Sequence, residues 1–336
     1  MSEIPGTYTG PGLVDLQMNG YAGFDFNVAA GSWKVDDFHS VRRALHRRGV
    51  VAALPTFITD DISAMIARAE RYAAFVEDDS RLEKIFPLLH IEGPFISPDD
   101  GPRGAHPEAY CRLPGDAPDF IRNLQEASGD RIGIFTVAPE LEGALEVIEE
   151  ATAAGICVSI AHTQATRERI EEAVEAGAKF STHLGNGSHQ MLPRLDNYVQ
   201  AQLSEDRLLA SFIADGHHVP LYTLKNFIRA KTPERSVLVT DAIVAAEVGP
   251  GRYSLGNEEV VVTDDLYVSK PGEPNLAGSA LTLDRAVVNV AGYCDVRFEQ
   301  AWTMASTRPA ALVNLPRPPE VTVDIVDGEF RNVRRS

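Results

Sequence analysis

The sequence predicts an α/β fold, a (β/α)8 barrel of the TIM-like kind with a small, reduced β-sandwich element beside it. Three observations carry that expectation. Eight short, nearly continuous apolar runs recur between residues 12 and 240, amphipathic segments separate many of them, and polar residues able to do chemistry follow the runs. Continuous apolar strands alternating with amphipathic helices mark a parallel sheet buried on both faces. Eight such units close a barrel, whose active residues collect at the C-terminal ends of its strands.

The runs are GLVDLQ (12–17), VVAAL (50–54), FPLLHI (86–91), IGIFTV (132–137), CVSIA (157–161), KFSTH (179–183), LLASFI (208–213) and SVLVT (236–240). Between them DDFHSVRRALHRRG, ISAMIARAERYAAFVEDD, LEGALEVIEEATAAG and TRERIEEAVEAGA carry helical periodicity. The run RRALHRR (42–48) reads as the solvated face of a helix. The rhythm then breaks. Residues 251–270 read as a hairpin insertion with Asn257 and Asp264–Asp265 near its turns, and helices resume over 281–313. The segment EVTVDIVDGEF (320–330) is a strand–turn–strand pattern built on Asp327-Gly328. The expected division is a barrel over 11–313, with 1–10 and 314–336 forming the reduced accessory β element.

The 336 residues fit one large domain plus this small piece, since α/β barrels run to roughly 250 residues as one unit. Thirty-one Lys and Arg stand against 48 Asp and Glu, a formal charge of −17. A surface so acidic excludes general binding to nucleic acid or to anionic membrane, both of which need basic patches. A small anion can still be held by one local basic site. No run approaches the ~18 apolar residues of a membrane span. The start, MSEIPGTYTGPG, lacks the basic and apolar regions of a secretory signal. Cys111, Cys157 and Cys294 are odd in number and unpatterned, which reads as buried thiols in a reducing cytoplasm rather than as a disulfide framework.

The polar residues closing each strand are the candidates for chemistry. The first run ends in Gln17 and Asn19, the third in His90 and Glu92, the fifth in His162 and the sixth in His183. The seventh leads to Asp215, His217 and His218, and the eighth ends in Asp241. A Glu, two His and an Asp converging from four strand ends suit a divalent transition metal with a carboxylate base beside it. Taken singly, each has a plainer role: a hydrogen-bonded structural His, Glu92 capping a turn, or Asp241 as the N-cap of a helix.

In order, the chain carries PGLVDLQMNGYAGFDFN, LPTFIT, HIEGPFISP, RGAHPEAY, TVAPE, IAHTQAT, THLGN, IADGHHVP, LVTDA and LAGSALTL. Across residues 11–313 these motifs resemble the N-acetylglucosamine-6-phosphate deacetylases of the amidohydrolase superfamily. The resemblance implies one catalytic divalent metal held by Glu92, His162 and His183, with zinc first and iron or manganese suited to the same donors. It implies Asp241 as general base and His106 as a contact to the amide carbonyl. Many amidohydrolases bind a second metal through an HxH pair, where this chain has Gln17 and Asn19. That resembles the single-metal branch, in which the Gln lies near substrate. Asn186, the Gly187 backbone, Arg194 and His218 match positions that hold the sugar or its phosphate. In the family the Arg comes from the neighbouring subunit, so a homodimer is implied.

The expected reaction is removal of acetyl from an N-acetyl amino sugar 6-phosphate, N-acetylglucosamine-6-phosphate foremost. The alternatives are a non-phosphorylated N-acetyl sugar or other N-acyl compound and, from another class, a non-catalytic barrel that only binds. The loop after His183 departs from the family: THLGNGSHQM replaces the usual THLxNAM, adding Gly185, Gly187 and an extra His189.

Overall fold

The structure is a computed structural model that describes residues 3–256, 258–272 and 276–335. Eight parallel strands form one sheet: Leu13–Met18, Val50–Ile58, Leu89–Glu92, Ile132–Val137, Cys157–Ile160, Phe180–Ser181, Leu209–Ile213 and Ser236–Val239. They are barrel strands 1 to 8 below. Each is paired with its sequence neighbour, strand 1 to 2 and onward to strand 8.

The seam between strands 8 and 1 is closed by side chains as well as backbone. Asp241 N–H donates to the Gln17 carbonyl at 3.0 Å. The fully buried Asp15 carboxylate accepts from Thr240 N–H at 3.1 Å and from Thr240 Oγ1 at 2.6 Å. A bridge between Met18 and Ala242 continues the pairing past the strand ends. The closure therefore sits directly beside Asp241.

The sheathing helices are α1 Val35–Arg47, α2 Ile62–Asp78, α3 Ser80–Ile85, α4 Phe120–Ser128, α5 Ala144–Ala153, α6 Arg167–Ala176, α7 Tyr198–Ser204, α8 Leu221–Lys231, α9 Leu283–Tyr293, α10 Phe298–Met304 and α11 Thr307–Leu312. Their starts follow local chemistry. Asp61 caps α2 by accepting from Ser63 N–H and Ala64 N–H, Thr166 caps α6 through Arg169 N–H, and Asn197 caps α7 through Gln200 N–H. Each turns one apolar stripe inward, as Phe38, Val41, Ala44 and Leu45 do on α1.

The basic run on α1 is not uniformly solvated. Arg48, just past the helix, is drawn into an ion cluster with Glu247, Asp284 and Glu329. Those acids arrive from distant segments, so no local pattern announces them.

Beside the barrel, Thr7–Pro11, Glu320–Val326 and Glu329–Arg335 form a three-stranded antiparallel sheet. Trp302 of α10 stacks on Phe330 of that sheet at 5.3 Å. After barrel strand 8 the insertion builds its own antiparallel sheet from Gly251–Leu255, Glu258–Val262 and Val268–Ser269. Asp264–Asp265 form a turn within it, whereas Asn257 lies outside the described residues. This sheet has a small core of Ile243, Leu255, Val260, Val262 and Val268 that packs on Ile58 and Ala105 at the barrel mouth. No helix among the described residues is long and apolar enough to cross a membrane.

Candidate active site

Inside the barrel a polar layer lies below the mouth. His90 faces inward, with Nδ1 against the Leu16 carbonyl at 3.0 Å and Nε2 against Thr136 Oγ1 at 2.8 Å. Thr136, Thr182 and Ser159 continue the chain of hydrogen bonds. Burial, foremost, lowers the His90 pKa to about 4, so it is a neutral structural imidazole.

Above this layer Glu92, His106, His162 and His183 meet. Donor atoms of Glu92, His106 and His162 all lie within 4.8 Å of one another, a group able to hold a metal ion. His183 Nε2 approaches Glu92 Oε1 at 2.9 Å, and His162 Nε2 approaches the same oxygen at 3.2 Å. The chemistry of these donors fits a cation. His162 Nδ1–H donates to the Pro102 carbonyl at 2.8 Å, which turns Nε2 toward Glu92. Two imidazole Nε2 atoms and a carboxylate oxygen therefore converge on one point, where a proton or a divalent cation can be shared among them. An imidazole oriented through its far nitrogen by a backbone carbonyl is also how metal-ligating histidines are held.

The local backbone is bent to make the site. His162, His183 and Asp241 are non-glycine residues in the left-handed region, with φ of 49°, 32° and 49°. Such conformations cost of order 1–3 kcal/mol each and cluster where surrounding structure over-determines them. His183 N–H is fixed by Ser211 Oγ at 2.7 Å. The Asp241 carbonyl accepts from Ser279 N–H at 2.9 Å. Asp241 does not cap a helix. The residue is 8 % exposed, and its carboxylate accepts from Asn19 Nδ2 at 2.7 Å. Burial, the largest influence, lifts its pKa to about 6, with the Glu92 charge adding to the rise and His183 opposing it.

Burial also pushes the Glu92 carboxyl upward, but hydrogen bonds and charge from His162 and His183 outweigh it and hold the pKa well below the usual range. His106 has its pKa lowered as well, to about 3, by burial first and the neighbouring His162 second. It is a neutral ring. Its Nδ1 accepts from Thr59 N–H at 3.4 Å, so the proton resides on Nε2. Nε2 lies 3.8 Å from Glu92 Oε2. Arg103 steadies the same loop by donating to the carbonyls of Pro98 and His106 at 3.1 and 3.2 Å.

These residues open into a cavity of about 770 Å³ whose wall includes Asn19, Asn186, Gly187, His218 and Asp241. Gln17 is placed differently. Its buried Nε2 donates to Glu92 Oε1 at 3.1 Å, so it braces that carboxylate from below. His218 Nδ1 donates to Asp215 Oδ2 at 2.7 Å, which orients the ring. Gly187 is needed for close approach: at φ 56°, a Cβ there would sit 2.6 Å from His162 Nδ1. Arg194 is not in the cavity wall. It is exposed, in a loop that also presents Met191 and Leu195 at 90 % and 82 % exposure. His189, the extra residue of the THLGNGSHQM loop, is anchored by Tyr198 Oη at 3.0 Å from Nδ1 and lines the cavity.

No local pattern in the sequence points to a role for Thr59, Arg103 or Glu140. The motifs LPTFIT, RGAHPEAY and TVAPE contain them, but their action depends on loops from other strands.

No protein-family model matches the chain. Among curated proteins it is 37% identical over 328 residues to the N-acetylglucosamine-6-phosphate deacetylase of Bos taurus, covering 94% of this chain and 76% of that one. It is 31% identical over 317 residues to the N-acetylgalactosamine-6-phosphate deacetylase of Escherichia coli O157:H7, covering 91% and 78%. Among solved structures it resembles N-acetyl-D-glucosamine-6-phosphate deacetylase from Mycobacterium smegmatis, a variant bound to N-acetyl-D-glucosamine-6-phosphate. The TM-score is 0.87 at 26% identity, over 98% of this chain and 86% of that one. Identity at this level over nearly the whole chain, joined to a shared barrel, is decisive: the chain belongs to the N-acetylglucosamine-6-phosphate deacetylase family.

Proposed function

We propose that this protein hydrolyses the acetamide of an N-acetyl amino sugar 6-phosphate, N-acetylglucosamine-6-phosphate foremost, releasing acetate and the free amine. The observation that carries the reading is the juxtaposition of an oriented carboxylate, Asp241, with the Glu92–His162–His183 donor group at the mouth of one barrel. One divalent cation on those three residues, with zinc as the first candidate, would supply Lewis acidity toward the amide carbonyl and the attacking water.

This chain's residues do the rest. Asp241, held by Asn19, takes a proton from the attacking water and returns it to the leaving nitrogen, acting as base and then acid. His106, neutral and protonated on Nε2, donates to the carbonyl oxygen as negative charge develops there; one such donor is typically worth 10²–10³ in turnover. Gln17 keeps Glu92 oriented. Loss of the C–N bond is balanced by the new C–O bond of acetate and by proton transfer to nitrogen.

The phosphate is assigned to Asn186, the Gly187 N–H, His218 and Arg194. The first three line the cavity, and Gly187 lets its backbone approach an oxyanion closely. Arg194 completes the site from the other chain of a homodimer. In its favour are its exposed position and the exposed Met191 and Leu195 on the same loop, an apolar surface suited to a partner chain. A reducing cytoplasmic setting agrees with Cys111, Cys157 and Cys294, all free thiols.

The test is acetate release by the purified, zinc-loaded protein from a panel: the gluco and galacto N-acetyl sugars, each with and without the 6-phosphate, and a set of N-acyl amino acids. The proposal expects turnover of a 6-phosphate sugar above all others. Turnover of an unphosphorylated compound alone would replace it with the broader amidohydrolase reading.

A further inference from the structure

Glu140 lies beyond barrel strand 4, outside the cavity wall, in a segment to which the reaction assigns nothing. Its carboxylate grips the two residues that follow His162. Oε2 accepts from Thr163 Oγ1, and Oε1 accepts from Gln164 N–H at 2.8 Å. Thr163 Oγ1 in turn accepts from Ala165 N–H at 3.0 Å, so the turn after His162 is closed on itself. The Gln164 side chain then donates from Nε2 to Asp99 Oδ2. Asp99 belongs to the loop that carries Pro102, Arg103 and His106. That loop returns to His162 twice: Ser97 N–H donates to the His162 carbonyl at 3.0 Å, and the Pro102 carbonyl accepts from His162 Nδ1–H at 2.8 Å. Glu140 is itself set by its neighbours, since Arg169 Nε of α6 donates to the adjacent Pro139 carbonyl at 2.6 Å.

His162 needs such a frame. With φ at 49°, its backbone is in a region that a non-glycine residue does not occupy unless its surroundings impose it. Ser97 and Pro102 hold its carbonyl and its ring, but the chain leaving it is gripped through Thr163 and Gln164. We propose that Glu140 is a positioning residue. By fixing the Thr163–Gln164 turn and, through Asp99, the His106 loop, it sets the ring of His162 as a metal ligand and the register of His106 against the amide carbonyl. It touches neither metal nor substrate. This rests on the metal site proposed above.

Partners that orient a ligating imidazole from outside typically cost 10–100-fold in metal affinity or activity when removed. The experiment compares the parent, Glu140→Ala and Glu140→Gln in three readouts. These are zinc affinity by competition with a chromophoric chelator, the melting temperature of the metal-free protein, and kcat and KM on the sugar phosphate. Glu140→Ala is expected to bind zinc roughly 10–100-fold more weakly and to lose activity in kcat rather than KM. Glu140→Gln keeps an amide oxygen for one of the two donors and is expected to recover part of both. A purely structural role would lower the melting temperature of the metal-free protein while leaving zinc affinity of the folded molecules unchanged. If Glu140→Ala does not fold, Thr163→Val and Gln164→Ala each remove one strand of the same frame and carry the zinc measurement. Zinc affinity and kcat within twofold of the parent in these variants overturns the inference alone. A parent that binds no divalent metal overturns the site reading and the inference with it.

Discussion

Asn19 and Asp241 meet across the closing seam of the barrel, the Asn19 amide donating to Asp241 Oδ1 at 2.7 Å. The two lie just past the ends of barrel strands 1 and 8, where Asp241 N–H donates to the Gln17 carbonyl. One carboxylate oxygen is thereby committed and the other left to the reaction. Asp241→Asn should retain the metal yet lower kcat by at least 10²–10⁴, the ordinary worth of general acid–base catalysis. Asn19→Ala should cost less, roughly tenfold, because it frees a rotor without removing the base. Steady-state kinetics with metal content measured on the same samples checks both. A tenth of normal activity in Asp241→Asn would place the base elsewhere.

His162 and His183 both reach Glu92 Oε1. Replacing either with Ala should abolish tight metal binding and activity together, read as metal per chain by elemental mass spectrometry. On the proposed reading the parent should hold one metal per chain, because Gln17 and Asn19 offer side-chain amides rather than a second pair of imidazoles. Two metals in the parent, or full content in either variant, would contradict this ligand set.

Asp15 gives a pH signature. Its pKa rises from 3.8 to about 7, through burial first, with hydrogen bonds from Thr240 and Gln17 opposing. A native carboxyl that holds its proton more tightly than the unfolded chain stabilises fully below about pH 4, and that contribution is lost as pH rises toward 7. One unit is about 1.4 kcal/mol, so the advantage of the parent over Asp15→Asn should shrink by up to about 4 kcal/mol across this window. Denaturant unfolding of both proteins at several pH values measures it. A difference independent of pH would show that Asp15 titrates normally.

Much of this was legible in the sequence. The run IGIFTV coincides with barrel strand 4 at Ile132–Val137. Barrel strand 2 runs on past the expected end to Ile58, across Pro55. Proline lacks the N–H of a ladder and reads as a stop, but a register irregularity between strands 1 and 2 admits it here. Barrel strand 6 is shorter than expected, Phe180–Ser181 only, because the chain leaves the ladder to bring His183 into its left-handed turn. Glu92, His162, His183 and Asp241 were visible because strand ends of a barrel share one mouth. The frame around them was not. Thr59 holding His106, Arg48 among three distant acids and Glu140 behind His162 all depend on contacts between segments far apart in sequence, which no local pattern records.

Arg194 tests the shared site. An inactive Asp241→Asn chain mixed with an inactive Arg194→Ala chain should regain part of the parent's activity, because hybrid dimers contain one intact site. Light scattering should report a dimer at assay concentration. A monomer, or no recovery on mixing, would return the phosphate contact to a single chain.

The most direct measurement is acetate release by the zinc-loaded protein from N-acetylglucosamine-6-phosphate compared with N-acetylglucosamine. The phosphorylated sugar should have a kcat/KM at least ~10²-fold higher, about 2.7 kcal/mol of transition-state binding. Chelation of the metal should remove the activity. Equal turnover of both sugars, or acetate release undiminished in metal-free protein, would contradict the proposed function.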